Sequence, residues 1–279
     1  MNNTELELIA YKIRKHALTG VYSAKSGHPG GSLSIADILA VLYFEEMNVD
    51  SANPKNPDRD RFVLSKGHCA PALYGALAEK GFFPKEDIAT LRKADSYLQG
   101  HPDMKNIPGV DMSTGSLGQG VCAANGMALA AKLDRKDYRV YTILGDGECE
   151  EGQVWEAAMF AAHYKLDNIT AFVDFNGLQI DGDITEVMNP TPFDKKFEAF
   201  GWNVITIDAH NFEGIKSALK SAKECKGKPT VILAKSVKGK GVSFMENVAA
   251  WHGSAPNDEQ FEIAVAELDA KISELEARL

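Results

Sequence analysis

The chain has 279 residues, of which 44% are hydrophobic and 25% charged, and this ordinary composition is enough for one large α/β domain. Its formal net charge of −9 argues against a nucleic-acid-binding surface, and no apolar run approaches membrane-spanning length. The polar, amphipathic start of the chain is unlike a secretory signal peptide. The 4 cysteines form no CxxC pair and no zinc spacing, so we expect reduced thiols and a cytoplasmic protein.

Apolar residues recur at helical spacing in many segments, and short β-branched and aromatic runs lie between them. The predicted helices cover residues 4–22, 35–44, 70–80, 84–93, 121–133, 155–162, 193–200, 212–225 and 257–278. The predicted strands cover residues 61–65, 138–144, 168–175, 203–208 and 230–236. Because strands alternate with helices, we expect an α/β fold with an open, mostly parallel sheet and helices on both faces.

Several histidines lie beside glycine in segments that are predicted to be irregular, such as residues 25–32. A single loop histidine is more often solvated or satisfied by one hydrogen bond. A set of them with the same local sequence indicates a site that binds hydroxyl groups or moves protons near neutral pH. A metal site built from them stays open, although no HxxH or HExxH spacing supports it. These residues are His28, His68, His101 and His252.

Residues 95–116 lack periodicity and are followed by a glycine-rich run that leads into the small-residue helix over 121–133. A long loop in a compact domain is usually functional, with a flexible surface loop as the alternative. Small residues let the helix pack close to the sheet, and its amino end could face an anion.

Two strand ends in the middle of the chain carry oxygen ligands. The strand over 138–144 ends at a Gly-Asp-Gly turn that contains Asp146, and the strand over 168–175 ends at Asn176. Because a helix joins these strands, they run parallel, and both turns lie at the edge where open sheets bind ligands. The Asp146 carboxylate, the Asn176 amide oxygen and the Leu178 carbonyl suit Mg²⁺ or Ca²⁺, and Mg²⁺ usually also takes phosphate oxygens. One such turn alone is usually only structural, but the pair is a stronger indication.

Lysines alternate with glycines after the last predicted strand, at Lys235, Lys238 and Lys240. This pattern is compatible with a mobile lid or a phosphate contact, and equally with a solvated basic loop.

Seven blocks of the sequence, in order along the chain, resemble the amino-terminal portion of transketolase, a family that depends on thiamine diphosphate. Each block alone is weak evidence, but together they are specific and span most of the chain. The blocks are KSGHPGG (25–31), DRDRFVLSKGHCAPALY (58–74), GHP (100–102), STGSLGQG (113–120), GDGECEEG (145–152), FNGLQIDG (175–182) and WHGSAP (251–256).

The resemblance implies how the cofactor is bound. Asp146, Asn176 and the Leu178 carbonyl would hold a divalent ion, Mg²⁺ or alternatively Ca²⁺ or Mn²⁺, on the diphosphate of thiamine diphosphate. Glu151 would join a carboxylate network that crosses a subunit interface, with Glu156 as a second member. The other cofactor contacts would come from His68, Gly115, Leu117, Gly145, Gly147 and His252.

The resemblance also implies the reaction, which is transfer of a two-carbon ketol unit from a ketose or ketose phosphate to an aldose or aldose phosphate. His28, His101 and His252 would be the catalytic residues that bind the sugar hydroxyls and move protons. The alternatives are a non-catalytic cofactor-binding partner, a deoxyxylulose-phosphate synthase and a 2-oxo-acid dehydrogenase α-subunit. The histidine set favours a sugar substrate.

This chain departs from the family pattern in two ways. Phe175 stands where the family often has a polar residue, which should leave the neighbouring metal ligand in place. The family's pyrimidine-binding and carboxyl-terminal domains, with the glutamate that activates the cofactor, do not follow here. We therefore expect residues 1–279 to form a single diphosphate-binding domain, the first subunit of a split transketolase. The carboxyl-terminal subunit would be a separate chain, in a dimer of heterodimers.

Overall fold

The computed structural model describes all 279 residues, and its centre is a five-stranded parallel sheet. The strands are β1 (Arg61–Leu64), β2 (Val140–Gly145), β3 (Ile169–Phe175), β6 (Asn203–Asp208) and β7 (Thr230–Lys235), and β4 (Leu178–Gln179) pairs with β5 (Gly182–Asp183) in a small antiparallel hairpin. The order across the main sheet is β1-β2-β3-β7-β6, and every pair is parallel. The predicted open parallel sheet is confirmed.

Helices connect the strands, and the first and last begin at asparagine caps. In α1, the Asn2 side chain accepts from the Glu5 N–H at 2.9 Å while the Glu5 carboxylate accepts from the Asn2 N–H at 2.7 Å, which satisfies two free donors of the first turn. The helices are α1 (Asn3–Ala24), α2 (Pro29–Ser34), α3 (Ala36–Val41), α4 (Ala70–Lys80), α5 (Gln119–Leu133), α6 (Gly152–His163), α7 (Ile184–Val187), α8 (Phe193–Ala199), α9 (Phe212–Glu224) and α10 (Asp258–Glu276). None of them combines the length and apolar composition needed to cross a bilayer.

Helices cover both faces of the sheet and bury it, so the predicted placement of helices on both faces is confirmed. Side chains alternate along β2, because successive residues of a strand point to opposite faces. Tyr141 and Ile143 belong to one core with residues of α1, α3, α4 and α9. Val140 and Leu144 belong to the other core with residues of α5, α6 and α8.

The helix predicted over residues 84–93 is wrong. Only a 3₁₀ turn forms there, at Lys85–Thr90. Arg92 has a left-handed backbone with φ of 61°, and its N–H donates to the Leu98 carbonyl at 2.9 Å instead of continuing a helix. A local bend therefore overrides the apolar spacing.

Three other segments also differ from the predictions. Part of the segment over residues 25–32, predicted to be irregular, forms the start of α2 with Pro29 in its first turn. The helix predicted over 35–44 is the shorter α3 followed by a π-helical turn at Leu42–Glu46. The β4–β5 hairpin and α7 were not predicted, because such short elements carry no periodicity.

The close packing of α5 on the sheet gives a testable prediction. A methyl group at Gly120 would come within 2.5 Å of the Ser65 Cα, a backbone atom that cannot easily move aside. Gly120→Ala should therefore lower the free energy of unfolding by roughly 1–3 kcal/mol, as overpacking usually does. The measurement is urea denaturation.

Gly126 on the same helix is the matched control, because no atom outside the helix backbone lies within 4 Å of an added methyl carbon there. Gly126→Ala should leave the free energy of unfolding unchanged or raise it by up to about 1 kcal/mol, since alanine is the better helix former. Equal effects at the two positions would contradict the packing argument.

Candidate functional site

A polar cleft of about 410 Å³ lies at the carboxyl edge of the sheet. The segments that follow β1, β2, β3 and β7 all contribute to it, because parallel strands bring these ends to one edge. The structure brings together twelve residues that the sequence predicted for the site, although their individual roles stay predictions. The cleft is lined by His28, His68, His101, Gly115, Leu117, Gly145, Asp146, Gly147, Glu151, Asn176, Leu178 and His252.

The two predicted metal-binding turns are joined by the carboxylate of Asp146. One of its oxygens accepts from the Gly147 N–H at 2.9 Å, and the other accepts from the Gly177 N–H at 2.6 Å. Gly177 directly follows Asn176, so the Gly-Asp-Gly turn and the Asn-Gly turn form one unit. Burial, helped by the carboxylate of Asp174, raises the pKa of Asp146 to about 6. A bound cation would relieve this cost, so the site suits a positive charge.

Asn176 is held in place by both ends of its amide. Its nitrogen donates to Asp174 at 3.0 Å, and its oxygen accepts from the Leu178 N–H at 3.1 Å. Phe175 packs edge-on against Phe193, with ring centroids 4.9 Å apart. Phe175 thus packs on an aromatic neighbour, and Asn176 lines the cleft as expected.

Any metal ion here would need amide and carbonyl oxygens besides Asp146. No group of three or more His, Cys, Asp or Glu side chains is placed to hold a metal ion. The alternative of a metal site built from histidines is therefore wrong. The oxygen set of Asp146, Asn176 and Leu178 fits a hard divalent ion that also takes phosphate oxygens.

A buried ion pair that sequence reasoning missed lies beneath the cleft. The Lys66 ammonium donates to the Asp174 carboxylate at 2.5 Å and to the Gly31 carbonyl at 3.2 Å. Burial alone would raise the pKa of Asp174, but the charge and hydrogen bond of Lys66, together with hydrogen bonds from Ser236 and Ser34, lower that pKa. Asp174 also accepts from Ser34 at 2.7 Å, so β3, α2 and the end of β1 are joined. The sequence did carry one indication of this pair, because Asp174 is a charged residue within the apolar run of β3.

Glu148 is a second residue whose role was missed, because it was interpreted only as a helix-start charge. It is buried, and one of its oxygens accepts from the Ser65 hydroxyl at 2.5 Å and from the Gly118 N–H at 2.9 Å. Its other oxygen accepts from the Gly145 N–H at 3.0 Å. Glu148 therefore fixes the glycine-rich loop before α5 against the ends of β1 and β2.

The loop histidines form one cluster, as the sequence predicted. The His28 ring centroid lies 5.1 Å from that of His68, 5.5 Å from that of His252 and 6.4 Å from that of His101. Burial lowers the pKa of all four, to about 4 for His28 and about 3 for His252. Near neutral pH the imidazoles are therefore uncharged and can both donate and accept hydrogen bonds.

Only one of the three alternating lysines reaches the cleft. Lys238 is 2% exposed, whereas Lys235 is exposed and Lys240 pairs with a glutamate at 3.4 Å. The Lys238 ammonium donates to the Leu178 carbonyl at 2.8 Å and to Nδ1 of His252 at 3.1 Å, and it forms no salt bridge. For this residue the solvated-loop alternative is wrong, and a buried ammonium without a carboxylate partner suits an anionic ligand.

The two glutamates of the predicted interface network lie apart. Glu151 is exposed just before α6 and lines the cleft. Glu156 is exposed further along α6 and lines a separate groove with Cys122 and Phe160. No hydrogen bond joins the two glutamates, so their network stays a prediction that involves a second chain.

Comparison with known proteins agrees with this geometry. The family model described as "Transketolase, thiamine diphosphate binding domain" matches residues 6–271. The 6-deoxy-6-sulfo-D-fructose transketolase subunit SqwG of Clostridium sp. (strain MSTE9) is 50% identical, over 95% of this chain and 96% of its own length. A protein of Phocaeicola vulgatus that is named as an apulose-4-phosphate transketolase subunit is 45% identical, over 97% of this chain and 96% of its own.

Longer transketolases match over only part of their length. The chain is 46% identical to the transketolase of Rattus norvegicus, over 88% of this chain but 39% of that one. The crystal structure of transketolase from Campylobacter jejuni subsp. jejuni superposes with a TM-score of 0.90 at 34% identity, over 99% of this chain and 46% of that one. With the family model covering nearly all residues, the chain belongs to the transketolase family, as a subunit that carries its thiamine-diphosphate-binding domain.

Proposed function

We propose that this chain is the cofactor-binding subunit of a two-chain transketolase, active only when paired with a carboxyl-terminal subunit. The reaction is transfer of a two-carbon ketol unit from a ketose or ketose phosphate to an aldose or aldose phosphate. The observation that carries the proposal is the assembly of twelve predicted site residues in one cleft. Whole-length similarity to two proteins that are named as transketolase subunits supports the two-chain arrangement.

The chain's own residues hold the cofactor in this proposal. Bound thiamine diphosphate supplies an electron sink for breaking a carbon–carbon bond beside a carbonyl. Asp146, Asn176 and the Leu178 carbonyl bind Mg²⁺, or Ca²⁺ or Mn²⁺ in its place, on the diphosphate. Lys238 and His68 contact the same diphosphate. The metal ion, Lys238 and His68 would thus surround the negatively charged diphosphate with positive charge and hydrogen-bond donors.

Glycine-rich backbone and neutral imidazoles make the remaining contacts with cofactor and substrate in this proposal. Gly115 and Leu117 would lie along the aminopyrimidine of the cofactor, and Gly145 and Gly147 would let the backbone approach its phosphates. His28, His101 and His252 bind sugar hydroxyls and move protons, since a neutral imidazole can both donate and accept. These histidines are the catalytic residues that we propose.

The outer face of α6 supplies a surface for the partner subunit. Met159 is 57% exposed and Phe160 is 37% exposed, beside the groove that Glu156 lines. Exposed apolar patches of this kind mark protein interfaces. These residues lie on α6, the helix that begins directly after Glu151 at the cleft. A partner seated here can bring the pyrimidine-binding and carboxyl-terminal domains, with the activating glutamate, over the cleft, in a dimer of heterodimers.

The substrate class in this proposal is a ketose that carries an anionic group. The two similar subunits are named for 6-deoxy-6-sulfo-D-fructose and for apulose 4-phosphate, and a pentose-phosphate sugar is a third candidate. We also propose a cytoplasmic location, which four free cysteines support.

The first prediction concerns the partner. With ketose phosphate, aldose phosphate, Mg²⁺ and thiamine diphosphate, the purified chain should show no ketol transfer, and addition of the second subunit should restore it. His28→Ala in the complex should lower kcat about 100-fold or more, the usual contribution of a general acid or base. A coupled assay with phosphorylated and sulfonated ketoses measures turnover and donor choice.

Robust turnover by the single chain would contradict the proposal that two chains are needed for activity. Full activity of the His28→Ala complex would favour the non-catalytic alternative. Pyruvate as the preferred donor would indicate one of the two other enzyme classes instead.

The second prediction tests the metal-binding turns. Thiamine diphosphate with Mg²⁺ at about 100 times its Kd should raise the free energy of unfolding by about 2.7 kcal/mol, because it binds only the native state. Asp146→Ala and the closer isostere Asp146→Asn should abolish this gain, because a carboxylate ligand is lost. Thermal denaturation with and without cofactor measures it, with the exposed Asp134→Ala as control. A full cofactor-induced shift in the Asp146 variants would argue against the metal assignment.

The third prediction follows from the neutral histidines. Folding lowers the pKa of His28 from 6.5 to about 4, so in this window the unfolded chain binds a proton that the folded chain does not. The free energy of unfolding should therefore fall as the pH drops from about 6.5 towards 4. His28→Gln should weaken this dependence, whereas His163→Gln, exposed on α6, should not. Urea denaturation at about pH 7, 6 and 5 measures it, and identical slopes for His28→Gln and the unmodified chain would contradict the assignment.

A further inference from the structure

His210 lies outside the cleft, in the turn that follows β6, and none of the roles above involves it. We propose that His210 is a positioning residue for the cofactor site. It links a buried Arg14–Asp37 ion pair to the backbone of the loop that carries Lys238, and so holds the Lys238 ammonium where the diphosphate binds. The inference rests on the proposed function of the cleft, because it concerns how that cleft is kept ready for an anion.

The fixed end of the link is the ion pair between α1 and α3. The two guanidinium nitrogens of Arg14 donate to the two oxygens of Asp37 at 3.0 Å and 2.5 Å, and a third nitrogen donates to the Leu33 carbonyl at 3.2 Å. Both side chains are buried, at 1% and 4% exposure. A buried two-point pair of this kind has little freedom to move. It provides a rigid carboxylate for a third residue.

The His210 ring bridges that carboxylate and a backbone amide. Its Nδ1 lies 2.6 Å from Asp37, and its Nε2 accepts from the Val237 N–H at 2.9 Å. Because a backbone N–H can only donate, Nε2 is the nitrogen without hydrogen. Nδ1 then carries the hydrogen and donates to Asp37. The two partners therefore select one neutral tautomer and fix the plane of the ring.

The amide that His210 holds directly precedes Lys238. On either side, the loop backbone is tied to other elements, since the Ser236 N–H donates to β3 at 3.1 Å and the Gly239 N–H donates to α2 at 2.9 Å. The bond from the Val237 N–H to His210 is the side-chain tie between these two, and the Val237 and Lys238 carbonyls also accept from the Lys240 and Asn247 N–H groups. His210 is anchored on Asp37 of α3 and does not line the cleft, so this bond acts on Lys238 through the backbone.

Lys238 needs such a tie because its buried position is unfavourable without a ligand. Lys238 is buried, and its ammonium donates only to the Leu178 carbonyl and to His252, with no salt bridge to a carboxylate. A lysine on a loosened loop would extend its ammonium into solvent. Loss of the Val237 bond should therefore shift Lys238 away from the cleft and weaken anion binding.

Two substitutions at His210 separate its two hydrogen bonds. The amide of His210→Asn reaches only the position of Nδ1, so this variant keeps a donor to Asp37 and loses the acceptor for Val237. The oxygen of His210→Gln reaches the position of Nε2, so this variant keeps the acceptor. His163→Asn is the matched control, because His163 is exposed at the end of α6.

The experiment measures amide hydrogen exchange at Val237 and the affinity for thiamine diphosphate with Mg²⁺, in the full chain and in its complex with the second subunit. His210→Asn should speed exchange at Val237 about fivefold and weaken cofactor affinity by a similar factor, the size expected for one hydrogen bond. His210→Gln and His163→Asn should stay close to the unmodified chain in both measurements. Ile232, in the middle of β7, is the internal reference that reports any global loss of stability.

Unchanged exchange at Val237 in His210→Asn would overturn the proposal, as would faster exchange with unchanged cofactor affinity. A similar loss in both His210 variants would also overturn it, because the acceptor would then be irrelevant. Failure of the unmodified protein to bind the cofactor is a different result, which would refute the function proposed for the cleft. The exchange rates alone would then decide whether His210 fixes the loop.

Discussion

The buried ion pair between Lys66 and Asp174 is the interaction on which the cleft depends. It lies at the ends of β1 and β3, and it reaches α2 through the Gly31 carbonyl and the Ser34 hydroxyl. Breaking such a pair by removing one partner leaves an uncompensated buried charge, which is usually far more costly than the net contribution of the pair itself. The strand ends that carry the candidate metal ligands are therefore held in one arrangement by contacts within the chain.

The charges around this pair explain what kind of ligand the cleft accepts. Asp146 is a buried carboxylate and Lys238 a buried ammonium, and neither forms a salt bridge within the chain. A divalent ion bound to a diphosphate would place an opposite charge beside each of them. The histidines remain neutral beside them, because burial and the neighbouring lysines disfavour a further positive charge. Cofactor recognition and the proton transfer that we propose for the imidazoles would thus depend on the same electrostatic environment.

The sequence predicted most strands and several helices well, because these elements depend on local spacing. The predicted helix over residues 70–80 coincides with α4, and the predicted strand over 203–208 coincides with β6. The helix over 84–93 failed where Arg92 adopts a left-handed conformation, a choice that apolar spacing does not reveal. The roles of Glu148 and Lys66 were missed because each is defined by partners on other elements.

By itself, the sequence determined the strand-end turns that contain Asp146 and Asn176 and the glycine-flanked histidines, since a run of β-branched residues that stops at a polar turn is a local pattern. Only the tertiary structure decided that Lys66 pairs with a carboxylate 108 positions away, and that Glu148 binds a hydroxyl 83 positions away. It also decided that Lys238, and not Lys235 or Lys240, faces the cleft. The physical reason is that burial and charge pairing depend on which elements the sheet order places side by side, and local sequence carries no record of that order.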